Sequence, residues 1–392
     1  MKTLICNGKV ITPEGVVDGG AVLIEDGKII RVGNFTAASD EKIDAEGAWV
    51  CPGFIDIHTH GAGGADYMDG TVDAYLTAAR MQAVHGATTV LPTSATNSNE
   101  ELFESFEMYR RAVLENRDGA RFAGMHLEGP YFNPVQAGAQ DPKYLRSPKD
   151  PADYLEIIRR GDGIIRRWSF APELEGAPEF AATLKRHGIL PSIGHTAASW
   201  EQCDESFRNG ATHITHFYSC ISSITRKGGF RTAGVMEYGL YQKGMSIELI
   251  ADGCHVPKTL LQLVLEIKGV DKISLVTDSM RGAGMPEGPS IIGSLKENRH
   301  VIIEDGVAKV LDRSCFAGSV ATADRCVRTM INVAGCSVGD AVRMMTVNPA
   351  KMIGIYGTKG SLEAGKDADI VIWDGDVEIR RTIIGGTTVY QK

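Results

Sequence analysis

Residues 50–60 read Val-Cys-Pro-Gly-Phe-Ile-Asp-Ile-His-Thr-His, an apolar run that ends in two histidines. The part from 50 to 58 has the composition of a buried β-strand. On a strand, side chains two residues apart face the same side, so His58 and His60 point the same way and can reach one metal ion. Taken alone, the pair is equally compatible with a chance H-x-H on a surface turn, so the rest of the chain must decide.

Further strand-like runs follow, and they alternate with longer helical patterns. The strand candidates cover residues 50–58, 88–92, 122–127, 167–171, 190–194, 213–217, 245–251 and 273–277. Eight strands separated by helices predict an α/β fold with a parallel (β/α)8 barrel of the TIM type. A doubly wound open sheet is the alternative. The barrel is favoured because polar residues recur at strand ends throughout the chain and not at one switch point.

Both ends of the chain are rich in short strands and tight turns. Asn7-Gly8 separates apolar runs near the start, and Gly385-Gly386 does so near the end, which is a strong hairpin signal. Neither end is long enough for a stable domain of its own. We therefore expect residues 1–54 and 355–392 to pair into one small β-domain, beside a metal-dependent catalytic barrel formed by residues 55–354.

Six ionisable side chains stand at strand ends in this reading. They are His58, His60, Glu128, His195, His216 and Asp278. An ionisable group at the end of a buried apolar strand is unfavourable unless it is paired, hydrogen-bonded or bound to a metal. So many at the same end of the strands are hard to explain by core packing, and they predict a metal site. Nitrogen and oxygen ligands without a thiolate suit Zn²⁺, Fe²⁺, Mn²⁺ or Co²⁺.

The bulk composition excludes several classes of protein. The 392 residues carry a formal net charge of −8, which argues against a nucleic-acid-binding protein but allows a local pocket for an anionic substrate. The eight cysteines are scattered without a C-x-x-C pair, which fits a reducing cytoplasm. The amino-terminal apolar run is too short for a signal peptide, and no run reaches the ~20 residues of a membrane span. We expect a cytoplasmic protein without a membrane partner.

The order H-x-H, Glu, His, His, Asp resembles the amidohydrolase superfamily and, within it, the N-acetylglucosamine-6-phosphate deacetylases. The resemblance covers nearly the whole chain. It rests on residues 52–61, 126–131, 194–196, 212–216, 251–256, 276–278, 317–319, 348–350 and 365–369. Many members of the superfamily bridge their metals with a carboxylated lysine. Glu128 stands in that place here, which is specific to the deacetylase branch.

The resemblance implies two divalent metal ions, Zn²⁺ or Fe²⁺, with Mn²⁺ or Co²⁺ as further options. One ion would be held by His58, His60, Glu128 and Asp278, and the other, more tightly, by Glu128, His195 and His216. Two catalytic residues are also implied. Asp278 would take the proton of the attacking water and deliver it to the departing amine, and His255 would help to stabilise the developing oxyanion. Relatives that lack the H-x-H pair work with one metal, so the pair favours a binuclear site.

The implied activity is hydrolysis of the acetamide of N-acetyl-D-glucosamine 6-phosphate to glucosamine 6-phosphate and acetate, in amino-sugar catabolism. One alternative is a related amidohydrolase that acts on N-acetylgalactosamine 6-phosphate or another N-acyl sugar. Another is a non-catalytic sugar-phosphate-binding protein. Asp278 argues against the latter, because a binding protein needs no group to transfer a proton.

The substrate side departs from the family pattern. Substrate contacts are implied for Ala139, Gln140, Ser219, Cys220, Arg226, Lys227, His255, Phe316 and Ala317. Gln140 replaces a histidine, residues 219–221 read Ser-Cys-Ile in place of Asn-Ala-Met, and Lys227 replaces a phosphate-binding arginine. A lysine binds phosphate without the bidentate fork of arginine. Either these residues do the same jobs, or the substrate is a different N-acyl sugar. In the family this cation can come from a neighbouring subunit, so a homodimer is implied.

Overall fold

The computed structural model describes the backbone of residues 1–392 and every side chain except that of Lys227. The strands, in chain order, are β1 (Lys2–Thr12), β2 (Gly15–Glu25), β3 (Lys28–Gly33), β4 (Glu41–Asp44), β5 (Trp49–Pro52), β6 (Phe54–Thr59), β7 (Gly61–Ala62), β8 (Ala65–Asp66), β9 (Ala87–Ser94), β10 (Arg121–Phe122), β11 (Met125–Glu128), β12 (Ile165–Phe170), β13 (Leu190–Ile193), β14 (His213–Ile214), β15 (Thr225–Lys227), β16 (Phe230–Thr232), β17 (Ser246–Ile250), β18 (Ile273–Val276), β19 (Gly288–Ile292), β20 (Arg299–Glu304), β21 (Val307–Val310), β22 (Ile370–Asp374), β23 (Glu378–Ile384) and β24 (Thr387–Gln391).

The helices lie mostly between the barrel strands. They are α1 (Val72–Val84), α2 (Asn99–Glu115), α3 (Pro151–Arg160), α4 (Ala177–Arg186), α5 (Trp200–Arg208), α6 (Val235–Tyr241), α7 (Lys258–Lys268), α8 (Ala323–Thr329), α9 (Val338–Met345) and α10 (Val347–Met352). Among the described residues, no helix combines the length and the apolar character that a membrane crossing requires.

The two ends of the chain form one sheet. Its strands follow the order β24-β23-β22-β5-β1-β2-β3, and β4 pairs with β1. The hairpin indicated at Asn7-Gly8 is wrong, because β1 runs through these residues and only its register with β2 shifts there. Strand β22 runs antiparallel to β5, with Val371 opposite Cys51, which joins the end of the chain to its beginning. Buried aliphatic side chains of both ends, such as Ile5 and Ile370, pack into a core of their own.

Eight further strands form a nearly closed parallel barrel in the order β6-β9-β11-β12-β13-β14-β17-β18, with β10 as a further partner of β9. The last strand returns to the first, because the backbone N–H of Asp278 donates to the carbonyl of His58 at 2.9 Å. The prediction of a (β/α)8 barrel with a small β-domain from both chain ends is confirmed. The domain limits at residues 54/55 and 354/355 stay a prediction.

The stretch 50–58, expected to be one strand, is two strands that separate at Gly53. Strand β5 pairs with β1 and β22 in the small sheet, whereas β6 pairs with β9 in the barrel. A Cβ atom on Gly53 would lie 2.1 Å from Thr88 Oγ1, so only glycine fits where the chain passes between the two sheets. Both strands are buried, and an unbroken apolar run therefore conceals the change of sheet.

Three excursions leave the barrel at the carboxyl ends of its strands. They are the hairpin β7–β8 after β6, the hairpin β15–β16 after β14, and the three-stranded sheet β19–β21 after β18. In a parallel barrel, the loops at this end build the active site. The excursions therefore shape the region in which the predicted ligands lie.

Candidate metal centre and pocket

The carboxylate of Glu128 lies at the centre of a cluster of imidazole rings. Its Oε1 is 3.1 Å from His216 Nε2 and 3.2 Å from His195 Nε2. Its Oε2 is 3.2 Å from His60 Nε2. Because one carboxylate reaches rings on three different strand ends, Glu128 can connect two neighbouring cation sites.

The second group of side chains surrounds Asp278. Its Oδ1 is 3.3 Å from the Nε2 atoms of both His58 and His60. One ligand atom each from His58, His60 and Asp278 lies within 4.8 Å of the others, and the same holds for the group of Glu128, His195 and His216. The structure thus brings together all six residues that the sequence predicts as metal ligands.

The backbone turns sharply where three of these residues leave their strands. His195, His216 and Asp278 each come two residues after the end of β13, β14 or β18. Their φ angles of 47°, 26° and 46° are left-handed. Asn, Asp and His tolerate this region better than most residues, and such unfavourable conformations concentrate at functional sites.

The hydrogen bonds of His195 and His216 leave a lone pair on each Nε2. His195 Nδ1 lies 2.8 Å from the carbonyl of Gln136, and His216 Nδ1 lies 3.2 Å from that of Ser219. A carbonyl only accepts, so Nδ1 carries the hydrogen of the neutral ring and Nε2 offers its lone pair. The two Nε2 atoms are 3.1 Å apart. Two lone pairs at that distance repel unless they share a cation, which is the arrangement of metal-binding histidines.

His58 is held in the same way. Its Nδ1 lies 2.7 Å from Oε1 of the buried Glu248. Its Nε2 is buried, has no hydrogen-bond partner among the described side chains, and faces Glu128 at 3.4 Å and Asp278 at 3.3 Å. Two ligand atoms about 2.1 Å from one tetrahedral ion lie about 3.4 Å apart. The observed spacings therefore fit metal ions.

The histidines offset the repulsion between two buried carboxylates. Burial works to raise the pKa of Glu128. When the ring nitrogens bear protons in place of a cation, the charge of His58 and a hydrogen bond from His195 outweigh burial and hold this pKa well below its usual range. Burial also works to raise the pKa of Asp278, and His58 and His60 again lower it overall. Both carboxylates are therefore available as anions for cations.

His255 stands on the wall of the same pocket and is fixed by Asp252. His255 Nδ1 lies 2.7 Å from Asp252 Oδ2, and Asp252 Oδ1 accepts the backbone N–H groups of Cys254 and His255, each at 2.8 Å. Burial works to raise the pKa of Asp252, but the hydrogen bond and charge of His255 lower it overall. The charged carboxylate holds one ring nitrogen and leaves Nε2 for a ligand.

Most residues predicted to contact substrate line this pocket. They are Ala139, Gln140, Ser219, Cys220, His255 and Phe316. Gln140 is already engaged, since its Nε2 donates to Glu128 Oε2 at 2.6 Å and its Oε1 accepts from the N–H of Thr96 at 2.8 Å. Gln140 therefore steadies a carboxylate of the cluster, and its contact with a substrate stays a prediction.

The other predicted contacts lie elsewhere. Ala317 is fully buried in an apolar cluster with Met280 and Val301, behind the pocket. Arg226 is exposed on β15, in the hairpin with β16. The side chain of Lys227, on the same strand, lies outside the described residues. The contacts predicted for these three residues stay predictions.

Arg299 is a pocket residue that no local pattern singles out. It begins strand β20, lines the pocket, and donates from Nη2 to the carbonyl of Ala139 at 2.6 Å. An arginine has five N–H donors, so several are left for an anionic ligand. Its place at the pocket depends on how the three-stranded excursion folds back, and a short-range sequence signal cannot report that.

Comparison with known proteins agrees with this site. The amidohydrolase family model matches residues 49–389. The chain is 32% identical over 396 residues to N-acetylglucosamine-6-phosphate deacetylase of Bacillus subtilis, covering 99% of this chain and 97% of that protein. It is also 32% identical over 378 residues to N-acetylgalactosamine-6-phosphate deacetylase of Escherichia coli O157:H7, covering 96% and 97%.

Solved structures give the same result. The fold matches a mutant N-acetyl-D-glucosamine-6-phosphate deacetylase of Mycobacterium smegmatis in complex with N-acetyl-D-glucosamine 6-phosphate, with a TM-score of 0.90, 29% identity and 100% coverage of both chains. It also matches the N-acetylglucosamine-6-phosphate deacetylase of Thermotoga maritima, with a TM-score of 0.87, 28% identity and coverage of 99% and 100%. The chain therefore belongs to the amidohydrolase family, in its N-acetylglucosamine-6-phosphate deacetylase branch.

Proposed function

We propose that this chain is a metal-dependent hydrolase that cleaves the acetamide of N-acetyl-D-glucosamine 6-phosphate, giving glucosamine 6-phosphate and acetate in amino-sugar catabolism. The observation that carries the proposal is the cluster of six ligand-type side chains, five of which line one pocket together with His255, the partner of Asp252. Such a pocket offers a general base, an oxyanion donor and a metal centre to one bond. The full-length similarity to sugar-phosphate deacetylases supports the choice of bond.

The proposed metal centre holds two divalent ions. One would be bound by His58, His60, Glu128 and Asp278, and the other by Glu128, His195 and His216. The donor set suits Zn²⁺ or Fe²⁺, and Mn²⁺ or Co²⁺ are also compatible with it. When bound, ions of this kind lower the pKa of water and polarise a carbonyl.

Two side chains of this protein carry the proton and charge transfers in the proposal. Asp278, held as an anion, takes a proton from the attacking water and delivers it to the nitrogen of the departing amino sugar. His255, fixed through Nδ1 by Asp252, donates from Nε2 to the acetamide oxygen as negative charge develops there. The Asp252 carboxylate stabilises the charged ring that makes this donation, as in other Asp–His pairs.

The phosphate requires a cation, and two sources are proposed. Arg299 stands on the pocket wall of the same chain. Arg226 and Lys227 stand on the hairpin β15–β16, whose Phe230 is 81% exposed and whose neighbour Ile224 is 59% exposed. Exposed large apolar side chains are typical of interaction surfaces. We therefore propose a homodimer in which the hairpin of one subunit reaches the pocket of the other, which sedimentation equilibrium would detect as twice the chain mass.

The cytoplasm is the proposed location, with a small amino-sugar phosphate as the partner and neither nucleic acid nor membrane. All eight cysteines are free thiols, as is typical of a reducing compartment. The net charge of −8 gives no support for binding to nucleic acid. Fractionation of the producing cells would contradict this location if the activity were found with the membranes.

N-acetylgalactosamine 6-phosphate is the second candidate substrate. A deacetylase of that sugar is as similar to this chain, at 32% identity, as the Bacillus subtilis deacetylase of the glucosamine sugar. The two substrates differ only in the configuration of one hydroxyl. The pocket residues that differ from the family pattern, Gln140, Ser219 and Cys220, are the candidates for reading that hydroxyl.

The test is acetate release from both N-acetylhexosamine 6-phosphates and from the unphosphorylated sugars, with protein of measured metal content. We expect the highest kcat/KM on N-acetyl-D-glucosamine 6-phosphate and a loss of at least about 100-fold without the phosphate, because charge-assisted hydrogen bonds to it are lost. A preference for the galactosamine sugar would move the assignment to the second candidate. No acetate from any of these compounds would refute deacetylation and favour a non-catalytic binding protein.

A further inference from the structure

A buried ion pair lies inside the barrel, beneath the cluster of ligands. Arg167 on β12 and Glu248 on β17 both have side chains that are 0% exposed, and Arg167 Nη1 lies 2.5 Å from Glu248 Oε2. The interior of a parallel barrel is ordinarily filled by layers of branched apolar side chains. A charged pair at such a position is expensive to bury and is a weak source of stability. Its presence therefore calls for a role other than packing.

One oxygen of Glu248 reaches both halves of the proposed metal centre. Glu248 Oε1 lies 2.7 Å from His58 Nδ1 and accepts the backbone N–H of His216, also at 2.7 Å. His58 and His216 belong to different groups of ligands. With its Nδ1 bound below, the His58 ring can turn only Nε2 toward Glu128 and Asp278.

Glu248 is itself held from several sides. Its Oε2 contacts Arg167 Nη1 and His213 Nε2, the latter at 3.4 Å. Arg167 is fixed in turn by the hydroxyls of Ser192 at 3.1 Å and Thr215 at 2.8 Å. Because these partners approach from strands β12 and β13 and from the β14 segment, the carboxylate has one available orientation.

From these contacts we propose that Glu248, clamped by Arg167, is a positioning residue of the metal centre. Its carboxylate fixes the tautomer and rotation of His58, so that the His58–His60–Asp278 group is preformed for its ion. Carboxylates that bind the far nitrogen of a metal-ligating histidine commonly strengthen metal binding 10- to 100-fold. The inference rests on the proposed function only in that it assumes a metal ion at this group.

Two variants separate positioning from stability. Arg167→Met/Glu248→Met removes both charges together, and an apolar pair of similar size is often neutral or stabilising in place of a buried ion pair. It leaves His58 Nδ1 without its acceptor. Arg167→Leu/Glu248→Leu also removes both charges and the acceptor, and it serves as the second variant if the methionine pair does not fold. The first measurements are the thermal midpoint of each variant and its affinity for Zn²⁺, from competition with a chromophoric chelator.

We expect the folded variants to bind one of two Zn²⁺ ions roughly 10- to 100-fold more weakly than the wild type, with the other ion changed by less. The His58→Gln variant shows which ion is weakened, because it directly removes a ligand of the His58–His60–Asp278 group. Adding the Glu248 substitution to His58→Gln should cause no further loss of affinity, because Glu248 acts through His58. With Co²⁺ in place of Zn²⁺, the visible absorption of the weakened site should change in the same variants.

Wild-type affinity for both ions in either folded variant would overturn the proposal. The proposal would also be overturned if the Glu248 substitution lowered the affinity by the same factor in the His58→Gln protein as in the wild type, because Glu248 would then not act through His58. These measurements use the metal alone and need no substrate. A wild type that binds two Zn²⁺ ions and releases no acetate would refute the deacetylase function while leaving this proposal open to the same variants.

Discussion

Gly53 lies where the chain passes from the small sheet into the barrel. The variant Gly53→Ala tests whether the chain is packed tightly at this junction. The added Cβ would lie 2.1 Å from Thr88 Oγ1, 2.3 Å from Thr88 Cγ2 and 2.7 Å from Thr88 Cβ. Rotation of the Thr88 side chain moves the first two atoms but not Cβ. Thr88 is 1% exposed, so its side chain cannot move out into solvent. Either the backbone at Gly53 or strand β9, which carries Thr88, must therefore shift.

We expect a loss of about 3 kcal/mol in the free energy of unfolding, at the upper end of the usual cost of overpacking. Unfolding entropy of about 2.1 cal/mol/K per residue gives about 0.8 kcal/mol/K for the 392 residues, so the thermal midpoint should fall by about 4 °C. Urea unfolding followed by tryptophan fluorescence measures the effect. Trp49 and Trp373, stacked at 5.6 Å in the small sheet, report on one side of the junction, and the buried Trp168 reports on the barrel.

Gly357→Ala is the matched control, because a Cβ on Gly357 would meet nothing within 4 Å. Its stability should stay within about 0.5 kcal/mol of the wild type. Adding Thr88→Gly to Gly53→Ala removes all three clashing atoms, so the combined loss should be smaller than the sum of the two single losses. If the Gly53→Ala protein were as stable as the Gly357→Ala control, the close contact between Gly53 and Thr88 of strand β9 would be refuted.

Three further predictions concern single side chains. Asp278→Asn should lower kcat by ~10²-fold or more while metal content changes less, since the amide cannot accept the proton; turnover near that of the wild type, measured by acetate release, would remove the assigned role. Arg299→Ala should raise KM for the phosphorylated sugar about 10- to 100-fold. The control Lys296→Ala, which removes another cation of the same excursion that is paired with Glu104, should leave KM unchanged. Equal KM values for the two variants would exclude Arg299 as the phosphate anchor. Burial, with smaller effects of Lys243 and Lys272, lowers the pKa of Lys268 to about 8. Between about pH 8 and 10.4, the Lys268 side chain is then protonated in the unfolded chain and largely neutral in the folded one. The free energy of unfolding of the wild type should therefore rise with pH in this window, and that of Lys268→Met should lack this rise. Parallel curves of unfolding free energy against pH for the two proteins would contradict the lowered pKa.

The positions of the ligands could be predicted because each ligand lies at the carboxyl end of a parallel strand. His195, His216 and Asp278 each come directly after an apolar run that forms a barrel strand, and parallel strands end at the same rim. A local pattern of residue types and a rule about sheets are sufficient for this. The tautomers of the histidines were not accessible in that way, because they depend on acceptors such as Glu248 from distant strands.

The residues that escaped prediction are those whose environment is created by tertiary structure. Arg167 follows the exposed Arg166, and Glu248 lies between Ile247 and Leu249, so nothing local shows that these two charges are buried. Gln140 was expected at the substrate because it replaces a histidine of the family. Its amide is also bound to Glu128 and Thr96, from two different strand ends, and the sequence did not predict these contacts. In each case the deciding contact joins residues far apart in sequence.

Closure of the barrel and assembly of the metal centre use the same backbone contacts. The N–H of Asp278 donates to the carbonyl of His58 at 2.9 Å, and the carbonyl of Asp278 accepts from the N–H of Ser319 at 3.0 Å. These bonds hold Asp278 in its left-handed conformation, which costs on the order of 1–3 kcal/mol for a residue other than glycine. An ion held by His58 and Asp278 would tie strands β6 and β18 together and stabilise the folded barrel by mass action.

Removal of the metal should therefore loosen the barrel at this seam before it affects the small sheet. After dialysis against a chelator, backbone hydrogen exchange should accelerate first in β6 and β18, whereas β1, β5 and β22, which carry none of the six ligands, should keep their protection. Adding Zn²⁺ back should restore the slow exchange of β6 and β18. Equal acceleration in the small sheet, or unchanged exchange in β6 and β18, would mean that the barrel closes independently of its metal centre.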